Sequence, residues 1–221
     1  MGRLIVLEGL DGSGKGTQTI LLRDYFESLG KRVKLVDFPN YRSEGSVLVR
    51  MYLNGELGEN PDDTNGYAAS MFFAADRYVS YCTEWKNDYE CDDGIVIANR
   101  YTTANAYHQL SKLPENEWDN FLKWLWDFEF ERLGLPRPDK VLLLDMPEGV
   151  SSAMVKKRSG ETGQSLDIHE KDRDYMKRCR DAARYAAKKC GWTVIGCADE
   201  NASEPYSREK IFEMIKESLD I

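Results

Sequence analysis

A glycine-rich turn between an apolar segment and an amphipathic segment is the feature that most constrains the fold. Residues 3–8 (RLIVLE) form a short apolar run, and the sequence GLDGSGKG follows at once as residues 9–16. From Lys15 onward apolar residues recur at helical spacing, and Gly30 predicts the end of that helix. A strand that leads through such a turn into a helix predicts an α/β fold with a parallel sheet.

The turn has the spacing G-x-x-x-x-G-K of a phosphate-binding loop. Its glycines allow backbone N–H groups to face phosphate oxygens, and the N-terminus of the following helix adds positive potential. We therefore predict an ATP-binding loop that contains Gly9, Leu10, Asp11, Gly12, Ser13, Gly14, Lys15, Gly16 and Thr17. Gly16 stands where such loops usually have a serine or threonine whose hydroxyl holds magnesium.

Further short apolar runs predict strands over residues 32–38, 94–98, 140–146 and 192–197. Helical patterns separate them at about 44–53, 64–89, 102–111, 116–133, 147–158, 169–190 and 207–219. This alternation predicts a five-stranded parallel sheet with helices on both faces, of the P-loop NTPase type. We expect residues 1–221 to form one domain with a polar Gly/Ser/Gln loop at 159–167, and ligands at the carboxyl ends of the strands.

The composition excludes several classes of protein. Acidic residues outnumber basic ones by 38 to 30, so binding of polymeric nucleic acid is not expected. No apolar run approaches the ~20 residues needed to span a bilayer, and the N-terminus does not resemble a signal peptide. The five cysteines are an odd number without a C-x-x-C pair, which favours reduced thiols in the cytoplasm over disulfides or a metal site.

Several further segments resemble those of the thymidylate kinase family. Residues 71–77 (MFFAADR) are similar to its F-x-A-x-R helix, and residues 97–109 (IANRYTTANAYHQ) resemble its D-R-Y-x-x-S signature. Residues 37–40 (DFPN) resemble the family's F-P segment, and residues 135–147 (LPRPDKVLLLDMP) are also typical. These segments occur in the family's order over nearly the whole chain. The resemblance implies transfer of the γ-phosphoryl group of ATP to dTMP in dTTP synthesis, with magnesium as cofactor and a homodimer as the usual assembly.

The resemblance also implies the roles of individual substrate-binding residues. Phe73 would stack on thymine, Arg77 would face its 4-oxo group, and Asn105 would face the pyrimidine edge. Arg100 would bind the acceptor phosphate and Asp11 would face the sugar 3′-hydroxyl. The same pocket would be lined by Phe38, Tyr101 and Gln109. A less favoured alternative for each is structural: Phe73 as a core residue, Arg77 on a solvated helix face and Asp11 as a turn cap.

Catalysis is assigned by the resemblance to Lys15, Arg100 and a further arginine. Some family members carry that arginine in the phosphate loop, at the position that is Gly12 here. The resemblance also implies a short lid at about 156–168, and Arg158 in that lid is then the best candidate. A basic residue near a helix C-terminus also complements the helix dipole.

The chain departs from the family pattern near the expected metal. Asn99 replaces the aspartate before the signature arginine, and Ala104 replaces the usual serine. No direct metal ligand is predicted, and the acidic residues left as candidates for outer contacts are Glu8, Asp11 and Asp145. Two alternatives therefore remain at this point: a kinase of another pyrimidine nucleotide or nucleoside, and a nucleotide-binding protein with weakened or lost catalysis.

Overall fold

The computed structural model describes residues 2–162 and 167–219. Its five strands are β1 (Arg3–Glu8), β2 (Arg32–Asp37), β3 (Gly94–Asn99), β4 (Lys140–Asp145) and β5 (Thr193–Gly196). They form one sheet in the order β2-β3-β1-β4-β5, and every neighbouring pair is parallel. The predicted five-stranded parallel sheet is confirmed, and each strand lies within one residue of its predicted bounds at either end.

Helices cover both faces of this sheet. They are α1 (Lys15–Ser28), α2 (Val47–Leu53), α3 (Gly66–Ser80), α4 (Lys86–Glu90), α5 (Thr102–His108), α6 (Trp118–Trp126), α7 (Glu148–Thr162), α8 (Ile168–Lys171), α9 (Arg173–Cys190) and α10 (Arg208–Ser218). Single π-helical turns, Tyr81–Trp85 and Asp127–Arg132, extend α3 and α6. No helix in the described part of the chain is both long enough and apolar enough to cross a bilayer.

The two faces of the sheet have separate apolar cores. Strand side chains such as Ile5 and Leu7 pack against α1 and α10, whereas their neighbours Leu4 and Val6 face the opposite side. All four are fully buried, as expected for a central parallel strand covered on both faces. The register pairs Leu7 with Asn99, so the phosphate loop after β1 and the signature segment after β3 begin side by side.

The predicted lid differs from the structure in its first half. Residues 159–162 were expected in a polar loop, but α7 continues as a helix to Thr162. Gly160 costs a helix roughly 1 kcal/mol relative to alanine, and this alone does not end α7 in the absence of proline. Residues 163–166 of the predicted lid lie outside the described residues. Beyond them Asp167 caps α8, because its Oδ1 accepts hydrogen bonds from the backbone N–H groups of His169 and Glu170, both at 2.9 Å.

Candidate active site

Two adjoining cavities lie at the carboxyl ends of β1, β2 and β3. The inner cavity, about 80 Å³, lies against α3 and α5, and the outer cavity, about 700 Å³, lies beside α7 and α8. Asp11 and Arg100 line both cavities and therefore mark their junction. The inner cavity brings together all eight predicted substrate residues: Asp11, Phe38, Phe73, Arg77, Arg100, Tyr101, Asn105 and Gln109.

The phosphate loop has the backbone that its glycines allow. Gly12 and Gly14 have positive φ angles of 79° and 85°, a region that residues with a Cβ rarely adopt. The ammonium group of Lys15 is buried and donates to two carbonyl oxygens of the loop, both at 2.8 Å. Burial, and then the nearby charge of Arg100, lower the pKa of Lys15 to about 7. Ser13 Oγ is buried in the loop without a hydrogen-bond partner among the described residues.

Gly12 cannot be replaced by an arginine in this backbone. A Cβ at this position would lie 2.4 Å from the carbonyl oxygen of Ser151, which belongs to α7. The same serine donates its hydroxyl to the carbonyl oxygen of Asp11 at 2.8 Å, so α7 is packed directly on the loop. Gly16 is different, because a Cβ there would meet no atom within 4 Å.

Arg100 is held in a left-handed backbone conformation, with a φ angle of 66°. Its Nη2 donates to Asp11 Oδ1 at 2.8 Å and its Nη1 donates to Tyr107 Oη at 3.0 Å. Burial acts to raise the pKa of Asp11, but the charges of Arg100 and Lys15 outweigh it and hold that pKa below its usual range. Asp11 is therefore an ionised carboxylate at the junction of the two cavities, rather than only a turn cap.

Glu8 and Asp145, the other acidic candidates, line neither cavity. Glu8 is fully buried, and its carboxylate accepts hydrogen bonds from Thr103 Oγ1 at 2.5 Å and Tyr107 Oη at 2.8 Å. It supports the loop from behind, and burial raises its pKa. Asp145 pairs with two arginines of α9, of which Arg180 lies at 2.9 Å.

Arg77 lies in the protein interior and not on a solvated helix face. Its Nε and Nη2 donate to the two carboxylate oxygens of Glu129 at 2.7 and 2.6 Å, and the side chains are 1% and 0% exposed. Glu129 also accepts from Thr102 Oγ1 at 2.8 Å and from Asn105 Nδ2 at 3.2 Å. This buried carboxylate therefore fixes two of the residues expected to face the pyrimidine. No pattern in the sequence indicates the role of Glu129, because its partners are distant in the chain.

The remaining inner residues divide between packing and polar contact. Phe73 lines the cavity and also meets the ring of Tyr52 edge-on, with centroids 6.1 Å apart. The phenol of Tyr101 donates to the carbonyl oxygen of Pro136 at 3.0 Å, so its hydroxyl is already engaged. Gln109 is fully buried, and neither its amide nitrogen nor its amide oxygen has a partner among the described residues. Such an amide has both a donor and an acceptor to offer a ligand.

The outer cavity contains Arg158, which is about half exposed and pairs with Glu170 of α8. Asn99 also lines it, and its amide nitrogen donates to Asp37 Oδ1 at 2.6 Å. Asn99 ends β3 where the family has an aspartate, and the carboxylate of Asp37 lies beside it at the end of β2. Besides Arg100 and Arg158, a third arginine at this cavity is Arg50.

Four carboxylates line the outer cavity: Asp11, Asp37, Asp167 and Glu170. Their oxygens are the hard ligands that magnesium prefers. Within residues 2–162 and 167–219, no three acidic, histidine or cysteine side chains lie close enough together to form a ready-made metal site. Burial, and then the nearby charge of Asp11, raise the pKa of Asp167 to about 6.

Besides three apolar residues, sequence reasoning missed four polar residues of the inner cavity: Tyr41, His108, Asp167 and His169. His108 lies inside the signature segment, and it and His169 are the two histidines of the whole chain, which was the available signal. Tyr41 directly follows the DFPN segment. Asp167 lies inside the predicted lid and His169 directly after it, but no local pattern indicated that their side chains line the inner cavity.

Comparison with known proteins agrees with this arrangement. The sequence profile of the thymidylate kinase family matches residues 7–205. Thymidylate kinase of Mycobacterium tuberculosis is 32% identical over 198 residues, covering 87% of this chain and 91% of that protein. Probable thymidylate kinases of Thermococcus kodakarensis and Pyrococcus horikoshii are 31% and 30% identical, over 78% and 80% of this chain and 82% of each relative. The chain therefore belongs to the thymidylate kinase family.

Proposed function

We propose that the protein, acting as one kinase domain, transfers the γ-phosphoryl group of ATP to dTMP and releases ADP and dTDP. The observation that carries this proposal is the position of Arg100 and Asp11 at the junction of the two cavities. A nucleoside in the inner cavity would place its 5′-phosphate at this junction. The phosphate loop that ends in Lys15 would present the γ-phosphate of ATP to it.

The inner cavity has the chemistry of a pyrimidine site. Phe73 offers an aromatic face, and stacking on a base contributes roughly 1–3 kcal/mol without selecting among bases. Selection requires polar contacts, which Arg77, Asn105 and the unpartnered amide of Gln109 can supply. A thymine edge presents one N–H donor between two carbonyl acceptors, which a glutamine amide can complement.

The residues around the junction can hold the reacting groups in line. A dTMP phosphate oxygen is ionised at neutral pH, since the second pKa of such a phosphate is about 6, and it needs no general base to attack. Arg100 would fix that phosphate, and Lys15 would neutralise charge on the leaving β-phosphate side. Arg158 would stabilise the charge of the transferring group, because the close approach of α7 bars an arginine from position 12.

We propose magnesium as the metal of this reaction. Bound together with ATP, it would neutralise negative charge on the phosphates. The residues that would surround it are the carboxylates of the outer cavity, chiefly Asp11 and Asp37. The open space at Gly16 and the lack of a ready-made acidic cluster in the described residues favour an ion held mainly by ATP oxygens and water.

The test is a steady-state assay with ATP, magnesium and a panel of nucleoside monophosphates. We expect the highest kcat/KM with dTMP, a lower value with dUMP, and poor activity with dCMP and AMP. A higher kcat/KM with dCMP or AMP would refute the assignment. The complementary variant is Gln109→Leu, which we expect to raise KM for dTMP while leaving KM for ATP within twofold.

We further propose a cytoplasmic homodimer. Exposed apolar side chains cluster on α3, where Tyr67, Met71 and Tyr78 are 40%, 45% and 43% exposed, and continue onto α2 at Val47. Several exposed apolar side chains on one helix are typical of a surface that another chain covers. We expect Met71→Glu to give monomers in analytical ultracentrifugation, whereas Ile20→Glu, a change at an exposed apolar residue of α1, leaves the dimer intact. A dimer that survives Met71→Glu would place the interface elsewhere.

A further inference from the structure

The two histidines of the chain meet at the wall of the inner cavity, although neither has a role in the reaction proposed above. His108 is the last residue of α5, and His169 belongs to α8. Their rings are stacked, with centroids 5.2 Å apart and planes inclined by 18°. Both side chains are almost completely buried, at 6% and 5% exposure.

The ring of His108 forms a hydrogen bond with the guanidinium of Arg100. His108 Nε2 lies 3.0 Å from Arg100 Nη1. A guanidinium can only donate, so this ring nitrogen must be the acceptor and the proton must lie on Nδ1. His108 Nδ1 lies 3.5 Å from Tyr175 Oη and 3.5 Å from Cys179 Sγ. The Tyr175 hydroxyl donates to the carbonyl oxygen of His108 at 2.8 Å, so its oxygen is left to accept from Nδ1–H.

The surroundings keep the ring of His108 neutral. Burial, and then the positive charge of Arg100, lower its pKa well below the usual range, with smaller contributions from His169 and Lys15. The carboxylate of Asp11 acts in the opposite direction without reversing the shift. His169 is also neutral, since burial and then Lys112 lower its pKa to about 3. An uncharged imidazole beside an arginine can therefore accept its hydrogen bond without cancelling its charge.

We propose that His108 is a positioning residue, which orients the guanidinium of Arg100 toward the acceptor phosphate while leaving its positive charge available. The inference rests on the proposed function, because it assumes that Arg100 binds that phosphate. Arg100 is held at Nη2 by Asp11 and at Nη1 by Tyr107 and His108. A carboxylate in place of the imidazole would hold Arg100 equally well but would compete electrostatically with the phosphate.

The test compares dTMP with thymidine, which lacks the phosphate, by isothermal titration calorimetry without ATP. We expect His108→Leu to weaken dTMP about tenfold and thymidine by less than twofold, because one charge-assisted hydrogen bond to Arg100 is lost. His108→Gln returns an acceptor oxygen and should recover most of the dTMP affinity. The matched control is His169→Gln, which alters the stacked partner but not the bond to Arg100, and should leave the ratio of the two affinities unchanged.

Equal weakening of both ligands by His108→Leu, or no weakening of dTMP, would overturn the inference. Arg100→Met separates this failure from failure of the proposed function. If Arg100→Met weakens dTMP selectively and His108→Leu does not, only the role of His108 is wrong. If Arg100→Met changes the affinities for dTMP and thymidine by the same factor, the assignment of Arg100 to the acceptor phosphate is itself wrong.

A second measurement does not depend on how the variants fold. In wild-type protein with ¹⁵N-labelled histidine, long-range ¹H–¹⁵N correlation spectra report which ring nitrogen carries the proton. We expect His108 to be protonated at Nδ1 alone, and its Nε2 resonance to move on binding dTMP more than on binding thymidine. Protonation at Nε2, or an equal response to the two ligands, would refute the proposed bond to Arg100.

Discussion

The pair of Arg77 and Glu129 offers a quantitative test of how the inner cavity is built. Changing Glu129→Gln keeps the size of the side chain and an acceptor oxygen for Thr102, but it leaves the guanidinium of Arg77 without a counter-charge at 1% exposure. Removing one partner of a buried pair costs about 3–5 kcal/mol. Since glutamine retains some of the hydrogen bonds, we expect the free energy of unfolding to fall by about 3 kcal/mol in urea denaturation of the ligand-free protein.

Two further variants turn this loss into a test of mechanism. The double change Arg77→Met with Glu129→Gln removes the uncompensated charge, and we expect it to recover about 2 kcal/mol relative to Glu129→Gln alone. Asp127→Asn is the matched control, because Asp127 pairs with Arg132 at 3.0 Å in the same π-helical turn but with 51% and 73% exposure. That change should cost less than about 0.5 kcal/mol. The reasoning fails if Glu129→Gln costs as little as Asp127→Asn, or if the double variant is no more stable than the single one.

Three other outcomes follow from the outer cavity. Asp167→Asn keeps the helix cap but removes a carboxylate whose pKa is raised to about 6 in the folded protein. Because ionisation of this carboxylate opposes folding, the change should raise the free energy of unfolding in urea by about 1–3 kcal/mol above pH 6 and should not raise it below pH 4. Arg158→Ala should lower kcat by about 10³-fold and change KM for ATP by only a few-fold. The control is Lys157→Ala, at the exposed neighbouring position, which should leave kcat nearly unchanged. Equal effects of the two changes on kcat would refute the role of Arg158. Asn99→Asp places a second carboxylate beside Asp37, whose Oδ1 lies 2.6 Å from Asn99 Nδ2 in the present structure. This change should lower the magnesium concentration needed for half-maximal rate, whereas Asp37→Asn should raise it. If neither variant changes the magnesium titration, these two positions do not belong to the metal site.

The parts of the site that could be predicted from the sequence are those in which neighbours in the chain are also neighbours in function. The phosphate loop and residues 97–109 each lie on one strand–loop–helix connection, so spacing alone brings Lys15 and Arg100 to the same edge of the sheet. The contacts that support Arg77 and His108 could not be predicted in this way. Glu129 contacts Arg77 across 52 positions, and His169 reaches His108 across 61 positions of the sequence.

The lid shows the opposite kind of error, in which a local pattern was followed too far. Glycine and serine at 159–160 predicted a loop, yet α7 continues to Thr162. The N-terminal half of α7 packs on the phosphate loop through Ser151, so tertiary contact extends a helix that its own composition supports weakly. The same packing explains why position 12 is glycine. From the sequence alone, this glycine could be recognised only as a difference from family members that have an arginine there.

The buried ammonium of Lys15 gives the protein a proton linkage that an ordinary surface lysine lacks. In the ligand-free protein its charge rests against two backbone carbonyl oxygens, and burial lowers its pKa to about 7. If ATP binds at this loop as proposed, its anionic phosphates would favour the charged form and raise that pKa again. We therefore expect association with ATP near neutral pH to be accompanied by uptake of part of a proton, and nucleotide affinity to fall as the pH rises above neutrality. Calorimetric titrations of ATP in buffers of different ionisation enthalpy measure this uptake directly, and an apparent enthalpy independent of the buffer would contradict it.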